Sequence, residues 1–311
     1  MKKYILFVLI ILVILMEPIL PLTIKIGSIA PARSPWDKAL RELGREWESI
    51  SKGMVKLKIY PGGIAGSEED MIRKMEIGIL GGAVFANSGL TKIYSDFYVL
   101  NIPFTFNSEK EFEYITKKMN PLFEEGIEKK GYKVIIWSMA GWLNLFSKNK
   151  IEYPKDLKRH KLSFTTGEPE LEQVWKKSGY QVIPNDLSDL MMGLQTGMVD
   201  AFSLPPLVAA SGQYFPMAPN MYTMKIAPVY GGIVISNKKW KKIPDEIREK
   251  LMTSAKRISK ELYEKTKTLE LEAIETMKKN GLRTIPVPED SIEKWRIASE
   301  KGVINIKDIC R

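Results

Sequence analysis

The sequence predicts an α/β protein with two lobes, and three observations support this. Short strands alternate with helices from residue 23 onward, the same alternation starts again near residue 143, and residues 245–280 contain neither glycine nor proline. Alternating strands and helices favour a largely parallel sheet. At 1.5 Å per residue, a helix of about 36 residues would be about 54 Å long. We therefore expect one helix, or two joined by a bend, to lie across both lobes.

The first half of the chain is predicted to contain two helices between its early strands. Apolar residues recur at helical spacing from Trp36 to Trp47, and Gly53 closes this helix. Ser67 is a suitable cap for the second helix, because its hydroxyl can accept a hydrogen bond from the first turn and three acids follow where they suit the helix dipole. The predicted strands of this half cover residues 23–28, 55–60, 83–85 and 134–137.

The second half repeats the pattern, which is the reason for predicting a second lobe. A helix is expected over residues 169–178 and another through Leu190, Met191 and Leu194. The predicted strands of this half cover residues 143–147, 161–164, 181–183 and 199–203.

Composition excludes several classes of function. The 311 residues include 47 basic and 37 acidic side chains, a formal net charge of +10, but the lysines are scattered and many stand beside acids. No nucleic-acid-binding motif accompanies the charge, so a solvated basic surface is the preferred interpretation. The single cysteine, Cys310, and the single histidine, His160, exclude an internal disulfide and most metal-site and nucleophile–base chemistries. We expect His160 in a charged surface turn.

The amino terminus has the pattern of an export signal. Lys2 and Lys3 precede an unbroken apolar run over residues 4–16, followed by an acid and two prolines. The run is of secretory length and too short for a comfortable membrane span. No Ala-x-Ala pattern stands before Thr23, so an uncleaved amino-terminal anchor is the alternative, and the lack of a cysteine after the run excludes a lipoprotein. We expect residues 1–22 to direct the protein to the periplasm.

Six short motifs stand in a fixed order along the chain. They are Ser34-Pro35-Trp36; Pro61-Gly62-Gly63 with Gly66; Leu100-Asn101-Ile102-Pro103-Phe104; Pro154-Lys155-Asp156-Leu157-Lys158; Leu194-Gln195-Thr196-Gly197-Met198-Val199-Asp200 with Pro205; and Asn237-Lys238-Lys239-Trp240. In this order and spacing, the sequence resembles the DctP-type solute-binding proteins of tripartite ATP-independent periplasmic (TRAP) transporters. The resemblance covers nearly the whole chain after the export segment.

This resemblance implies a fold and a set of partners. The fold would be two-lobed, like that of periplasmic binding proteins, with hinge strands that cross between the lobes and a long helix spanning both. Lobe I would comprise residues 23–140 and 230–268, and lobe II residues 141–229 and 269–311. The resemblance also implies a small-molecule ligand enclosed between the lobes, no cofactor, and integral membrane subunits that use an ion gradient for uptake.

Two positions depart from the family pattern. Most relatives carry an arginine in the strand where Ser163 stands, and many carry an asparagine where Leu204 stands. An arginine fork binds a carboxylate through two charge-assisted hydrogen bonds, whereas serine offers one neutral hydroxyl. Lys161, on the same strand face as Ser163, or Arg159, in the preceding turn, could compensate. We nevertheless expect an apolar or amphipathic ligand rather than a dicarboxylate or sialic acid.

The resemblance and the departures together define a candidate binding site. Its residues are Trp36, Glu68, Phe85, Phe104, Trp142, Ser163, Phe164, Met191, Leu204 and Tyr230, with Met192 beside Met191. Burying about 300 Å² of apolar ligand surface would contribute roughly 7 kcal/mol before association costs, enough for binding without an ion pair. Each aromatic residue could instead be part of a core, Glu68 could be a helix-start acid, and Ser163 a plain strand residue.

Three classes of function were compared. The first is a TRAP subunit that captures an apolar or amphipathic ligand. The second is an extracytoplasmic sensor or partner protein that docks on a repeat protein, since one family branch pairs with a tetratricopeptide-repeat protein and is associated with hydrophobic ligands. The third, an enzyme, is disfavoured because the sequence lacks Gly-x-Ser-x-Gly, paired metal ligands and a Gly-x-Gly-x-x-Gly motif after a strand.

Overall fold

The computed structural model describes residues 21–164 and 169–307. The expected export segment lies outside the described residues except for its last two positions, and Cys310 lies outside them as well. Across the residues described, no helix is both long and apolar enough to cross a membrane.

Strands and helices alternate along most of the chain, as predicted. The strands are β1 (Leu22–Ser28), β2 (Val55–Tyr60), β3 (Gly82–Phe85), β4 (Tyr132–Trp142), β5 (Asn144–Ser147), β6 (Lys161–Phe164), β7 (Gln181–Pro184), β8 (Ala201–Leu204), β9 (Asn220–Tyr222), β10 (Pro228–Ser236) and β11 (Arg283–Ile285). The helices are α1 (Pro35–Ile50), α2 (Glu68–Glu76), α3 (Asn87–Ile93), α4 (Glu109–Lys129), α5 (Pro154–Leu157), α6 (Pro169–Lys177), α7 (Leu190–Thr196), α8 (Pro206–Ser211), α9 (Asn237–Trp240), α10 (Asp245–Lys279) and α11 (Glu289–Lys307), with a 3₁₀ helix over Ser95–Asn101.

Two sheets form the cores of the two lobes. The lobe I sheet has the order β2-β1-β3-β10-β4, and the lobe II sheet has the order β11-β9-β5-β8-β6-β7. Both sheets are mixed rather than largely parallel: β10 is antiparallel to β3 and β4, and β5 is antiparallel to β8 and β9. The prediction of a largely parallel sheet fails in lobe I. The chain passes to lobe II through β4 and returns through β10, so these two strands run in opposite directions.

The starts of α1 and α2 follow from local sequence. Ser34 caps α1, where its hydroxyl accepts a hydrogen bond from the Asp37 amide at 3.3 Å, and a proline occupies the first turn. Ser67 caps α2 as predicted, in a reciprocal arrangement: its hydroxyl accepts from the Asp70 amide at 3.2 Å, and the Asp70 carboxylate accepts from the Ser67 amide at 3.0 Å. These caps set where each helix leaves the carboxyl end of the preceding strand.

The hinge consists of two adjacent segments that pass between the sheets. One residue, Leu143, separates β4 in lobe I from β5 in lobe II. The Leu143 amide donates to the Ala227 carbonyl at 2.8 Å, and the Ile226 amide donates to the Leu143 carbonyl at 2.9 Å. The outgoing and returning segments are therefore hydrogen-bonded to each other where they cross between the lobes. The residue bounds expected for each lobe remain a prediction.

Helix α10 is a single helix of 35 residues, which decides between the two alternatives left open by the sequence. Its first half packs on lobe I through Leu251 and Ile258, which are buried with the side chains of α1 and the lobe I sheet. Its last turns pack on lobe II through Ile274 and Met277. The helix therefore spans both lobes, as the resemblance implied.

A cavity of about 200 Å³ lies between the middle of α10 and the lobe I end of the hinge. Trp142, Lys225 and Glu270 are among the residues that line it. Gly141 adopts a left-handed conformation with φ +118°, and a Cβ at this position would collide with the Glu270 carboxylate. Burial raises the pKa of Glu270 to about 7; the Lys225 ammonium acts against this rise and the Glu109 carboxylate adds to it.

Replacing Gly231 by alanine should destabilise lobe I. A Cβ at Gly231 would overlap the carbonyl oxygen of Phe85, so the lobe I sheet would have to shift. We expect a loss of about 1–3 kcal/mol of the free energy of unfolding in urea, as for other overpacked sites. Gly44→Ala is the control. Gly44 lies in α1, and its new Cβ would make an ordinary contact, 3.4 Å from the Cβ of Leu57 in β2. An unchanged urea midpoint for Gly231→Ala would contradict the close strand packing.

Glu270→Gln should change how stability depends on pH. A carboxyl group whose pKa is higher in the folded state stabilises the fold only while protonated, so the wild type should lose stability as pH rises from about 4.5 through about 7. The variant should lack this loss. Above pH 7 its free energy of unfolding should exceed that of the wild type by roughly 1–3 kcal/mol. Urea unfolding across this range measures it. Glu272→Gln, on the exposed side of the same helix, should follow the wild-type profile.

Candidate ligand-binding site

The carboxyl ends of the parallel strands define one edge of each sheet. Ligands of α/β sheets bind outside this edge, where the loops that follow the strands meet. In lobe I the parallel strands end at Ser28, Tyr60 and Phe85, and in lobe II at Phe164, Pro184 and Leu204.

The two edges face each other. A Cβ on Gly63, in the loop after β2, would lie 3.1 Å from the Cβ of Ser188, in the loop after β7. The negative charge of Asp186, in the same lobe II loop, contributes to the raised pKa of Glu68 at the start of α2. We call the space between these edges the interlobe cleft. Gly63 also has φ +77°, a backbone conformation that suits glycine. The close approach of lobe II is a second reason why a side chain fits poorly here.

Ser163 uses its hydroxyl within lobe II. The hydroxyl donates to the Asn185 carbonyl at 3.3 Å and accepts from the Asn185 side-chain amide at 3.2 Å. The backbone amide of Asn185 donates to the Phe164 carbonyl at 2.7 Å. The Ser163 hydroxyl, which stands where relatives have an arginine, therefore already has a donor and an acceptor in Asn185.

Apolar side chains line the lobe II edge. Leu204 and Met191 are half-buried against one hydrophobic cluster, and Phe164 and Phe104 against the other. Phe104 reaches lobe II from the segment after the 3₁₀ helix; its φ is +61°, and its amide donates to the Ile226 carbonyl at 2.8 Å. Met192, in contrast, is 62% exposed and points away from these clusters.

Besides Trp142 Nε1 at the end of β4, two buried polar atoms near the strand ends have no hydrogen-bond partner among the described residues. They are Trp36 Nε1, in the first turn of α1, and Ser203 Oγ, next to Leu204 in β8. Buried polar groups are nearly always paired with protein, water or ligand. Contact of Trp36 and Ser203 with a polar group on a ligand remains a prediction.

Glu68 is engaged with its own lobe. Its carboxylate accepts hydrogen bonds from the Ala86 amide at 2.6 Å and from the Ser88 hydroxyl, so it fixes the start of α3. Burial raises the pKa of Glu68; hydrogen bonds from the Ser88 hydroxyl and from the Ala86 and Gly89 backbone amides act against the rise, and the charge of Asp186 adds to it. These contacts favour the structural alternative for Glu68, and direct contact with a ligand remains a prediction.

Three predicted site residues lie deeper in the protein. Phe85 is 1% exposed in the lobe I core. Tyr230 is buried beside it, stacks on Trp137 with ring centroids 5.4 Å apart and exchanges hydrogen bonds with Asn120. Trp142 lines the hinge cavity. Protein atoms cover all three, so the structure does not bring them together with Ser163, and their contact with a ligand also remains a prediction.

His160 differs from its expected position. It is 4% exposed, and its ring Nδ1 lies 3.1 Å from an Asp200 carboxylate oxygen that also accepts the Lys161 amide. The prediction of a surface turn was wrong because the sequence does not reveal that Asp200, forty residues later, closes over the turn. This pair lies at the amino end of β6, the opposite end from Ser163.

Sequence reasoning missed Asn185, Asp186 and Ser188. All three follow β7 directly at its carboxyl end, and that position was the available signal. Ser203 was also missed, because a serine inside a short strand carries no signal of its own.

Comparison with known proteins gives relatives of one kind. The sialic acid-binding periplasmic protein SiaP of Vibrio cholerae is 22% identical over 285 residues, which cover 89% of this chain and 86% of SiaP. The 2,3-diketo-L-gulonate-binding periplasmic protein YiaO of Escherichia coli is 24% identical over 237 residues, which cover 76% of this chain and 72% of YiaO. These relatives are binding proteins, which agrees with the expectation that the chain is not an enzyme.

Solved structures share the fold over nearly the whole chain. A TRAP periplasmic solute-binding protein from Citrobacter koseri with bound D-glucuronate has a TM-score of 0.82 at 23% identity, covering 92% of this chain and 95% of that one. A TRAP protein from Sulfitobacter sp. NAS-14.1 with bound β-D-galacturonate has a TM-score of 0.83 at 18% identity, covering 92% and 94%. The sequence model of the DctP family, bacterial extracellular solute-binding protein family 7, matches residues 26–306, and the chain belongs to this family.

Proposed function

We propose that this TRAP solute-binding protein works outside the cytoplasm and captures an apolar or amphipathic ligand in the interlobe cleft for delivery to integral membrane subunits. The observation that carries the ligand class is the chemistry of the facing edges. Ser163 is bonded within lobe II, and the charge of Asp186 in lobe II acts on Glu68 in lobe I, so an acid stands on each side of the cleft.

A carboxylate ligand would meet an unfavourable field at this position. Burial first, and then the charge of Asp186, raise the pKa of Glu68, so this part of the cleft disfavours a further buried negative charge. Ser163 has no charge to offset this repulsion. An uncharged ligand avoids the cost and can still bond the free polar atoms of Trp36 and Ser203.

The cations considered as substitutes for arginine do not approach Ser163. Lys161 is exposed, and its ammonium donates to the Gly197 carbonyl at 3.1 Å. Arg159 stands in the turn before β6 and is exposed. Both therefore lie at the amino end of the strand, whereas Ser163 lies near its carboxyl end.

A sugar acid is the second candidate ligand, because the solved proteins from Citrobacter and Sulfitobacter bind glucuronate and galacturonate. Their identity to this chain is low, so the likeness supports the fold and not the ligand. Docking on a tetratricopeptide-repeat protein, as a sensor or a partner, remains a prediction. Identifying the ligand held in the cleft distinguishes an apolar ligand from a sugar acid and is the most informative test.

The ligand carried by the native protein should be largely apolar. Protein purified without added solutes can be denatured, and the released small molecules analysed by mass spectrometry. We expect a molecule with an extended apolar part. Calorimetric titration of ligand-free protein with D-glucuronate and β-D-galacturonate should show no binding. Recovery of sugar acids or dicarboxylates alone would contradict the proposed ligand class and leave the transport role intact.

Ser163→Arg should weaken binding of a neutral apolar probe such as Nile red. The guanidinium would have to lose water or displace the probe from the apolar wall beside Phe164, and we expect at least about a tenfold loss of affinity. Fluorescence titration measures it. Gln181→Arg is the matched control, since it adds the same charge to an exposed position at the amino end of β7. Equal affinities for wild type and Ser163→Arg would place the probe outside the cleft.

A further inference from the structure

The edge of the lobe I sheet opposite the cleft gathers several chain ends. The amide of Ser236, at the end of β10, donates to the Gly81 carbonyl at 2.9 Å, and the Gly81 amide donates to the Lys25 carbonyl in β1 at 2.8 Å. The Asn237 amide donates to the Gly131 carbonyl, just before β4, at 2.9 Å. The starts of β1, β3 and β4 and the end of β10 therefore lie side by side.

Lysines crowd this edge, which we call the basic end of lobe I. It comprises Lys52, Lys130, Lys238, Lys239, Lys241 and Lys242. Trp240 is buried 5.8 Å from the ring of Trp47, and because it anchors the single turn of α9, the lysines on either side of it lie at the surface. None of the six lysines forms an ion pair within residues 21–164 and 169–307.

Two large apolar side chains stand exposed at the same edge. Ile77 is 72% exposed and Ile79 is 52% exposed, in the turn that links α2 to β3. The next glycine, Gly81, is in contact with the basic end, since the Cγ of Lys239 lies 3.5 Å from the position that a Cβ on Gly81 would take. Basic and apolar groups thus share one surface.

Several acids close to this surface are paired with other cations. The pairs are Glu125 with Lys129, Glu128 with Lys133, and Asp245 with Arg248. Glu76 also reaches the edge, because burial and then its charge raise the pKa of Tyr132 at the start of β4. Glu246 and Glu249, at the start of α10, also lie near this surface, and the six lysines of the basic end outnumber these three acids.

The chain enters the fold at this surface. Residues 1–20 lead directly into β1, whose first residue, Leu22, donates its amide to the Met54 carbonyl at 2.7 Å, two residues from Lys52. Those residues contain the apolar run 4–16. If that run stays in a membrane, the basic end is the part of the folded protein that is tethered nearest to it.

We propose that the basic end of lobe I, with Ile77 and Ile79, is a docking surface for an anionic phospholipid bilayer. The lysine ammoniums meet headgroup phosphates, and the two isoleucines enter the interfacial region, which is how peripheral surfaces combine charge and apolar area. The cleft lies at the opposite edge of the sheet, so the docked protein opens toward the solution to capture ligand and must leave this position to hand it over. This inference does not depend on the ligand class.

Hydrogen exchange on the full chain tests the proposal. Residues 1–20 can bind any vesicle, so the measured quantity is local protection of amides 77–81 and 236–243, compared between phosphatidylcholine vesicles with and without phosphatidylglycerol. Since each lysine near an anionic surface strengthens binding about fivefold, we expect exchange there to slow at least about tenfold with the anionic lipid. Raising the salt to roughly 0.5 M should remove the effect, because it shortens the screening length to a few Å.

Two charge-matched variants complete the test. K238Q/K239Q/K241Q/K242Q should lose the protection, whereas K117Q/K148Q/K177Q/K279Q, which removes four exposed lysines elsewhere, should keep it. Equal loss in both variants would assign the effect to net charge and overturn the proposal. Protection that is absent, or the same in both kinds of vesicle, would overturn it as well.

Discussion

Strands β4 and β10 pair from Tyr132 with Ser236 to Trp142 with Pro228, and this ladder both completes the lobe I sheet and carries the chain into lobe II. It is tightly enclosed: a Cβ on Gly231 would meet the Phe85 carbonyl, and one on Gly232 would meet the Ile136 carbonyl. Backbone hydrogen bonds with no room for side chains make a stiff connection. The position of the lobe I cleft edge relative to the lobe II cleft edge depends on where this ladder ends.

The last residues of this ladder are less closely packed than the rest. Gly141 occupies a left-handed conformation, the cavity beneath α10 leaves space around Trp142, and the buried Glu270 carboxyl is costly to ionise there. A structure that must close on a ligand needs such a region of imperfect packing between two firm sheets. Helix α10 limits the movement, since it is packed on both lobes at once.

In the proposed function, binding in this cleft uses different chemistry from an arginine clamp. A fixed guanidinium selects for a carboxylate, whereas Ser163 is occupied by Asn185 and leaves selection to apolar contact. Such contact is proportional to area and not directional. Under the same proposal, the unpaired atoms of Trp36 and Ser203 supply the direction, and we expect a ligand with one or two neutral polar groups on an apolar body.

The sequence by itself determined the elements and the family. Caps such as Ser67, the spacing from Trp36 to Trp47 and the Gly- and Pro-free stretch 245–280 act through neighbouring residues, so local pattern was enough to predict them. Only the tertiary structure decided that Asn185 bonds Ser163 and Asp200 bonds His160, that the charge of Asp186 acts on Glu68, and that Phe85 and Tyr230 are buried. These contacts join residues that are distant in sequence, and their partners are set by sheet order and by the direction of β10, which no local periodicity encodes.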